Sequence, residues 1–218
     1  MEFNSQNQLL VKFVIMNKKQ QHWEYIFEKK SPAEMSWTET YPSTSMDLIN
    51  NLKMDKSLPV IDIGGGDSKL VDALLENGYN DISVLDISKK AIERSQIRLG
   101  EHSKKVSWIV SDVLSFKPQK SYALWHDRAS FHFLIDSMEI ESYTNLVSQW
   151  VNKHLVIGTF SVNGPLKCSG LPISQYSCKS ILKNFEERFK SIECKSIIHK
   201  TPFDTKQDFI FSSFNKKL

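Results

Sequence analysis

The stretch Val60-Ile-Asp-Ile-Gly-Gly-Gly-Asp-Ser68 constrains the fold of this chain more than any other. An apolar run, three glycines and the amphipathic Leu70-Val-Asp-Ala-Leu-Leu75 describe a strand, a tight turn and a helix. In that arrangement a ligand approaches the backbone closely. Three ligand classes share it. A phosphate-cradling loop needs Lys and then Ser or Thr after its last glycine, whereas Gly66 is followed by Asp67-Ser68-Lys69. A dinucleotide loop places glycine at its first, third and sixth positions, which are here Gly64, Gly66 and Lys69. Asp67 also puts a carboxylate where a pyrophosphate would meet the helix amides.

S-adenosylmethionine has no phosphate, carries an ammonium and has a positive sulfur, so Asp62 and Asp67 are compatible neighbours for it. The plain alternative at this point is a tight turn without a ligand. Two further acids add to the glycines. Asp86 ends the run Val84-Leu-Asp86 about 20 residues beyond the loop, where a carboxylate accepts hydrogen bonds from ribose hydroxyls. Its alternative is a helix cap, but Ser88 ahead of Lys89-Lys-Ala-Ile92 is itself a good cap. Asp112 follows Val106-Ser-Trp-Ile-Val110, placed to accept from an adenine amino group while the Val113 amide donates to the ring; its alternative is a turn aspartate bonded to its own backbone. Acids at the carboxyl ends of successive strands lie where open α/β sheets bind ligands.

From residue 58 short apolar runs alternate with amphipathic stretches. Strands are expected at 58–63, 82–86, 106–110, 121–126 and 155–160, with helices at 67–77, 88–99 and 138–151 between them. This alternation argues for βαβ units and a parallel sheet. Helical spacing of Trp23, Ile26 and Phe27, and of Met46, Ile49 and Leu52, predicts two helices before the first strand. A helix near 178–187 leads to two β-rich runs, 191–199 and 208–214, joined through Thr201-Pro-Phe-Asp204 as an antiparallel pair.

Asp62-Ile-Gly-Gly-Gly66, Asp86 and Ser111-Asp-Val113 resemble the first three cofactor motifs of class I S-adenosylmethionine-dependent methyltransferases. His22-Trp-Glu-Tyr-Ile-Phe27, Ser36-Trp37, Trp125-His-Asp-Arg-Ala-Ser-Phe-His-Phe-Leu134 and Lys167-Cys-Ser-Gly-Leu-Pro172 resemble a bacterial subgroup of that family. The subgroup is similar to methyltransferase-like lysine enzymes and, through Asp127-Arg128-Ala129, to thiopurine methyltransferases. The resemblance implies an α/β fold with a seven-stranded Rossmann-like sheet of order 3-2-1-4-5-7-6, strand 7 antiparallel and helices on both faces. It implies one domain over 18–218, made of a helical cap over 18–55 and the core over 56–218, behind an extension over 1–17. It also implies that Trp23 to Trp37 covers the cofactor, and that Trp23, Trp37, Asp62, Gly64, Gly65, Gly66, Asp86, Ile87, Asp112, Val113 and Asp127 bind S-adenosylmethionine, leaving S-adenosylhomocysteine as product. Ser68 departs from the usual last glycine of the motif and falls in the expected first helical turn, where serine is sterically mild.

Methyl transfer is an in-line displacement in which the protein chiefly aligns and desolvates, so no residue type is obligatory. The expected catalytic group is Asp127, with His126, His132 and Arg128 beside it. Asp127 would take an amine proton or hold an ammonium, either histidine would act as base, and Arg128 would clamp a carboxylate. The plain alternatives are a helix cap for Asp127, an ion pair for Arg128 and a core position for His132. Trp37 with Tyr41 is a candidate aromatic wall, or Trp37 packs the cap onto the sheet. His126, His132 and Cys168 match no metal-ligand spacing, so no metal is expected.

The expected activity is methylation of nitrogen, oxygen or sulfur on a small molecule, with protein lysine as the alternative acceptor and a non-catalytic cofactor-binding protein as a minor one. A net charge of +3 without a concentrated basic patch disfavours a nucleic-acid partner. Leu9 to Met16 is interrupted by Lys12 and is too short to span a bilayer, so no membrane association is expected. Cys168, Cys178 and Cys194 lack Cys-x-x-Cys spacing and are read as reduced thiols of a cytoplasmic protein, monomeric or homodimeric.

Overall fold

The computed structural model describes residues 18–217, so the expected extension over 1–17, with Leu9 to Met16, lies outside the described residues. Helix α1 covers 18–29 and α2 covers Ser43–Asn51. The core then follows as β1 (Val60–Ile63), α3 (Leu70–Glu76), β2 (Ile82–Asp86), α4 (Lys89–Leu99), β3 (Val106–Val110), β4 (Tyr122–Arg128), α5 (Ser137–Trp150) and β5 (Val151–Phe160). A two-residue hairpin, β6 (Lys167–Cys168) and β7 (Leu171–Pro172), precedes α6 (Cys178–Phe185), β8 (Phe189–Lys200) and β9 (Lys206–Lys216).

The main sheet has the order β3-β2-β1-β4-β5-β9-β8, parallel except that β9 runs antiparallel to both neighbours. The small hairpin stands apart, so this is the expected 3-2-1-4-5-7-6 sheet. Helices cover both faces, and for that reason β1 and β2 are buried at every position and read as continuous apolar runs. Strand alternation divides the core in two. Val60, Leu124 and Val156 pack under α2 and α3 with Met46, Ile49 and Leu74. Ile61, Trp125 and Leu155 pack under α5 and α6 with Tyr143, Val147 and Phe185.

Local chemistry sets the helix starts. The hydroxyl of Ser88 accepts from Ala91 N, Asp136 accepts from Met138 N and Glu139 N, and Ser177 accepts from Ser180 N. Helix α3 begins at Leu70 rather than 67, because Gly65 O accepts from Ser68 N and the Ser68 hydroxyl accepts from Leu70 N. Ser68 therefore belongs to the turn ahead of the helix, not to its first turn. Strand β4 runs two residues further than expected, through Asp127 and Arg128, which decides where those side chains point.

The cysteine reading needs correction. Cys178 and Cys194 form a disulfide, and only Cys168 is a free, buried thiol. The first residue of α6 meets the middle of β8 with Cα atoms 5.8 Å apart, inside the range a disulfide spans. Such a contact between a helix and a strand has no spacing signature. Among the described residues no helix is long and apolar enough to cross a membrane. We expect thiol titration of the unfolded, non-reduced chain to find one free thiol, and Cys178→Ser/Cys194→Ser to lose about 3 kcal/mol in urea denaturation, the scale for closing a loop of about 15 residues. Three titratable thiols and an unchanged midpoint would be incompatible with the bond.

Candidate active site

The glycine loop is anchored at the end of β2. Gly64 N and Gly65 N donate to Leu85 O at 2.8 and 3.2 Å, and Gly64 has φ +67°, which a side chain would strain. A Cβ on Gly65 would overlap the Asp62 carboxylate, and one on Gly66 would stand 2.7 Å from Asp86 Oδ2 and 2.5 Å from Ala91 Cβ. Asp86 is 5% exposed. Its Oδ2 accepts from Gly66 N at 2.9 Å and its Oδ1 from Ser88 N at 2.8 Å. Burial pushes its carboxyl up to about 6 against the pull of those two amides, with the charges of Asp62 and Glu24 adding to the rise. Ser88 thus caps α4 with its hydroxyl and steadies Asp86 with its amide.

Helix α1 and the segment behind it close over this loop. Trp23 packs on Phe133 with ring centroids 5.1 Å apart and on Trp37 at 5.9 Å, and Phe27 joins the cluster. Phe27 and Phe133 replace Tyr41 in the expected wall, since Tyr41 is 48% exposed. The Glu24 carboxylate accepts from Lys89 N, Lys90 N and the Ser88 hydroxyl at 2.7 to 3.1 Å, capping α4 from another helix. Arg94 of α4 donates back to Phe27 O and Lys30 O at the other end of α1. His199 Nε2 donates to Ser36 O at 2.6 Å and Arg128 Nη1 to Trp37 O at 2.9 Å.

Two adjoining cavities result. The first, about 130 Å³, has Asp86, Ile87, Asp112 and Val113 on one side and Trp23 and Phe133 on the other. Asp112 Oδ1 accepts from Leu114 N at 2.8 Å, so it caps its own turn while facing this cavity. The second, about 400 Å³, is walled by Asp62, Gly65, Asp67 and His126. Gly64, Trp37 and Arg128 border both. Gly66 borders neither and serves the close packing of Asp86 and α4. Asp67 is held by Arg94 and Arg98 at 3.2 and 2.9 Å. Two residues that line the second cavity each hold a buried polar atom without a hydrogen-bond partner, Asp62 Oδ2 and Arg128 Nε.

The alternation of β4 distributes the candidate catalytic residues. His126 and Arg128 share the α2 face with Asp62, and Asp127 points to the opposite face. There its Oδ1 accepts from Ser130 N and Phe131 N at 3.1 and 2.9 Å, and its Oδ2 from the Tyr143 hydroxyl at 2.7 Å. Asp127 is wholly buried and lines neither of these cavities. Burial pushes its carboxyl up to about 6, opposed by those hydrogen bonds. The Asp127 side chain expected to meet cofactor and acceptor is instead turned toward Tyr143 and the 130–131 amides. His132 is also wholly buried, stacked on Phe160 at 4.8 Å with both ring nitrogens unpartnered, burial lowers its pKa to about 3, and it lines neither of these cavities. His126 has both ring nitrogens engaged, Nδ1 with Asp62 Oδ1 at 2.7 Å and Nε2 with the Ser45 hydroxyl at 2.9 Å. Arg128 pairs with Glu39 at 3.2 Å and lies over the Phe209 ring. Burial lowers its pKa, and the charges of Glu39 and Asp62 oppose that. Cys168, whose thiol burial pushes up to about 11, and Lys19 also border the first cavity; sequence reading gave neither a role.

No family model matches the chain. Over 119 residues, 54% of the chain, it is 25% identical to an eEF1A lysine and N-terminal methyltransferase of Mus musculus. Over 86 residues, 39% of the chain, it is 30% identical to a malonyl-[acyl-carrier protein] O-methyltransferase 1 of Ilyobacter polytropus. The matched stretches span 17% and 32% of the lengths of those relatives. Among solved structures, an S-adenosylmethionine-dependent methyltransferase of Anabaena variabilis superposes with a TM-score of 0.72 at 13% identity, covering 93% of this chain and 95% of that one. A Burkholderia thailandensis 1,6-didemethyltoxoflavin N1-methyltransferase, solved with its substrate and S-adenosylhomocysteine, gives 0.68 at 13% identity over 95% and 90%. With the sheet order and the loop geometry, these likenesses establish that the chain folds as a class I S-adenosylmethionine-dependent methyltransferase.

Proposed function

We propose that this protein is an S-adenosylmethionine-dependent methyltransferase acting on a nitrogen, oxygen or sulfur nucleophile of a small molecule. The observation that carries the proposal is the pair of orphaned buried atoms on residues lining the second cavity. Asp62 Oδ2 is an acceptor without a donor and Arg128 Nε a donor without an acceptor, and each unsatisfied group costs about 1 to 3 kcal/mol. A zwitterionic amino-acid end brings a donor for the first and an acceptor for the second. In the adjoining cavity Asp86 serves a ribose diol, with Asp112 and Val113 at an adenine edge.

When bound, the cofactor supplies an electrophilic methyl group on a positive sulfur. Residues of the chain do the rest. Trp23, Trp37, Phe27 and Phe133 exclude water and present ring faces to a cation, an attraction of about 0.5 to 2 kcal/mol. Asp127 acts through the backbone, holding the amides of Ser130 and Phe131 and with them the turn that borders the first cavity. With both His126 nitrogens engaged and His132 and Asp127 lining neither cavity, alignment and desolvation account for the rate. The enclosure by α1 and Trp37 supports a small acceptor. The 119-residue likeness to a lysine and N-terminal methyltransferase supports a protein lysine as the second reading.

Tritiated S-adenosylmethionine incubated with the protein and an extract of the source cells separates these readings. Label in small metabolites is expected, and label in a discrete protein band moves the assignment to lysine. Tight NAD binding without any response to S-adenosylhomocysteine would overturn the methyltransferase reading. Ribose hydroxyls donate to an ionised Asp86 and not to a protonated one, so ligand binding draws its pKa below about 6. The Kd for S-adenosylhomocysteine should therefore be flat above about pH 7 and weaken by up to about tenfold per unit below about pH 6, a dependence that Asp86→Asn removes. A flat wild-type profile would exclude the ribose role. Asp127→Ala should destabilise the fold by about 3 kcal/mol by stripping the Tyr143 hydroxyl and two amides of their acceptor. Denaturation midpoints check this, and an unchanged midpoint would return Asp127 to the chemistry.

A further inference from the structure

The ring of His126 stands between a carboxylate and a hydroxyl, all three buried: Asp62 is 2% exposed, His126 2% and Ser45 1%. Asp62 accepts only, so Nδ1 carries the proton toward Asp62 Oδ1, which leaves Nε2 to accept from the Ser45 hydroxyl. Serine, histidine and aspartate in this order are also the constituents of a hydrolytic relay. Ser45 lies inside α2, however, and borders neither cavity, so no carbonyl reaches it. The relay has its open end at the acid. Of the two Asp62 oxygens, one is tied to the ring and the other, Oδ2, has no partner.

Building on the cofactor assignment above, we propose that His126 is a positioning residue, fixed by Ser45, which locks the Asp62 carboxylate so that Oδ2 faces the second cavity as the counter-charge for the cofactor's α-ammonium. Three features carry this. Asp62 and His126 are register partners on adjacent parallel strands, so both side chains leave the sheet on the same face. A lone carboxylate in that place would rotate about its last bond, and the 2.7 Å contact with the ring removes that freedom. Gly65 provides the clearance, because a side chain there would occupy the space of the Asp62 carboxylate. His126 thereby contributes to catalysis through affinity and orientation, without exchanging a proton with the acceptor.

The decisive comparison uses two ligands that differ only in the part Asp62 would hold. S-adenosylhomocysteine carries the amino-acid end, and 5′-methylthioadenosine is the same adenosyl thioether without it. Calorimetric titration of the wild type, His126→Ala, His126→Asn and Ser45→Ala measures both. His126→Ala should weaken S-adenosylhomocysteine by about tenfold or more, the scale of one charge-assisted hydrogen bond, and change 5′-methylthioadenosine by less than about twofold. His126→Asn, whose amide N–H can replace the Nδ1 donor, should recover most of the loss. Ser45→Ala, the mildest change to the fold, should show a smaller loss with the same selectivity. Equal loss of both ligands, undiminished S-adenosylhomocysteine binding in His126→Ala, or failure of asparagine to rescue would each overturn the relay. A wild-type protein that binds neither ligand would instead remove the cofactor assignment on which the relay depends.

Discussion

Two buried carboxylates stand where the side chains of residues 65 and 66 would otherwise be, and the remainder of the site is arranged around them. Asp62, next to last in β1, and Asp86, last in β2, lie on the same face of adjacent parallel strands, and the charge of Asp62 raises the pKa of Asp86. Placing like charges together in a poorly solvated space is unfavourable unless donors surround them. The fold supplies Gly66 N and Ser88 N to Asp86 and the His126 ring to Asp62. These donors satisfy only part of the demand. On the proposed cofactor reading, a ligand bringing hydroxyls to one acid and an ammonium to the other would complete it, and part of its binding energy would come from relieving a cost already present in the free protein. The triple glycine follows, since backbone that passes this close to two carboxylates has no room for side chains.

Closure over the loop depends on a reciprocal arrangement of two helices. Glu24 of α1 caps the first amides of α4, and Arg94 of α4 caps the last carbonyls of α1. Each charge lies at the helix end whose dipole favours it. Arg94 and Arg98 also hold Asp67, so the same helix fixes the far side of the glycine turn. Because α4 starts directly after Asp86, Ile87 and Ser88, the cap helix and the loop bordering the first cavity are tied together. Movement of α1 away from the sheet would leave the α4 amides uncapped and disturb Asp86, which accepts from Ser88 N. At the other end of α1, Lys19 pairs with Glu139 of α5 and borders the first cavity.

The sheet was legible because its strands alternate with helices whose caps are local: Ser88 announces α4 from its own position. The acids at the strand ends were legible for the same reason, each being defined by the strand it terminates. What escaped the sequence depends on contacts between distant segments. Glu24 is 65 residues from the amide of Lys89 that it caps, and the Cys178–Cys194 bond joins a helix to a strand. Neither has a spacing rule. The aromatic cover was legible only in part: Trp23 and Trp37 came from family resemblance, and Phe27 and Phe133 from geometry.

The segment from 126 to 130 shows how a two-residue error in a strand end becomes an error in chemistry. If β4 ended at His126, Asp127 would lie in a loop over the cavity, free to meet an acceptor. Because the strand continues through Arg128, its alternation sends Asp127 beneath α5 and keeps His126 and Arg128 on the side of the second cavity. The chain then reverses at Ala129, whose φ of +62° is unusual for a residue with a side chain and costs on the order of 1 kcal/mol or more. Ala129 N donates to Gly158 O, and Asp127 takes the next two amides, which holds the turn in place. Ser130 is thereby brought against Gly64, where even a Cβ on that glycine would come within 2.9 Å of the serine Cβ. The polar signature of this segment therefore encodes the wall where the two cavities meet. Transfer of a methyl group, the proposed reaction, requires a fixed line of approach more than a particular functional group, and a rigid wall at that junction would meet that requirement.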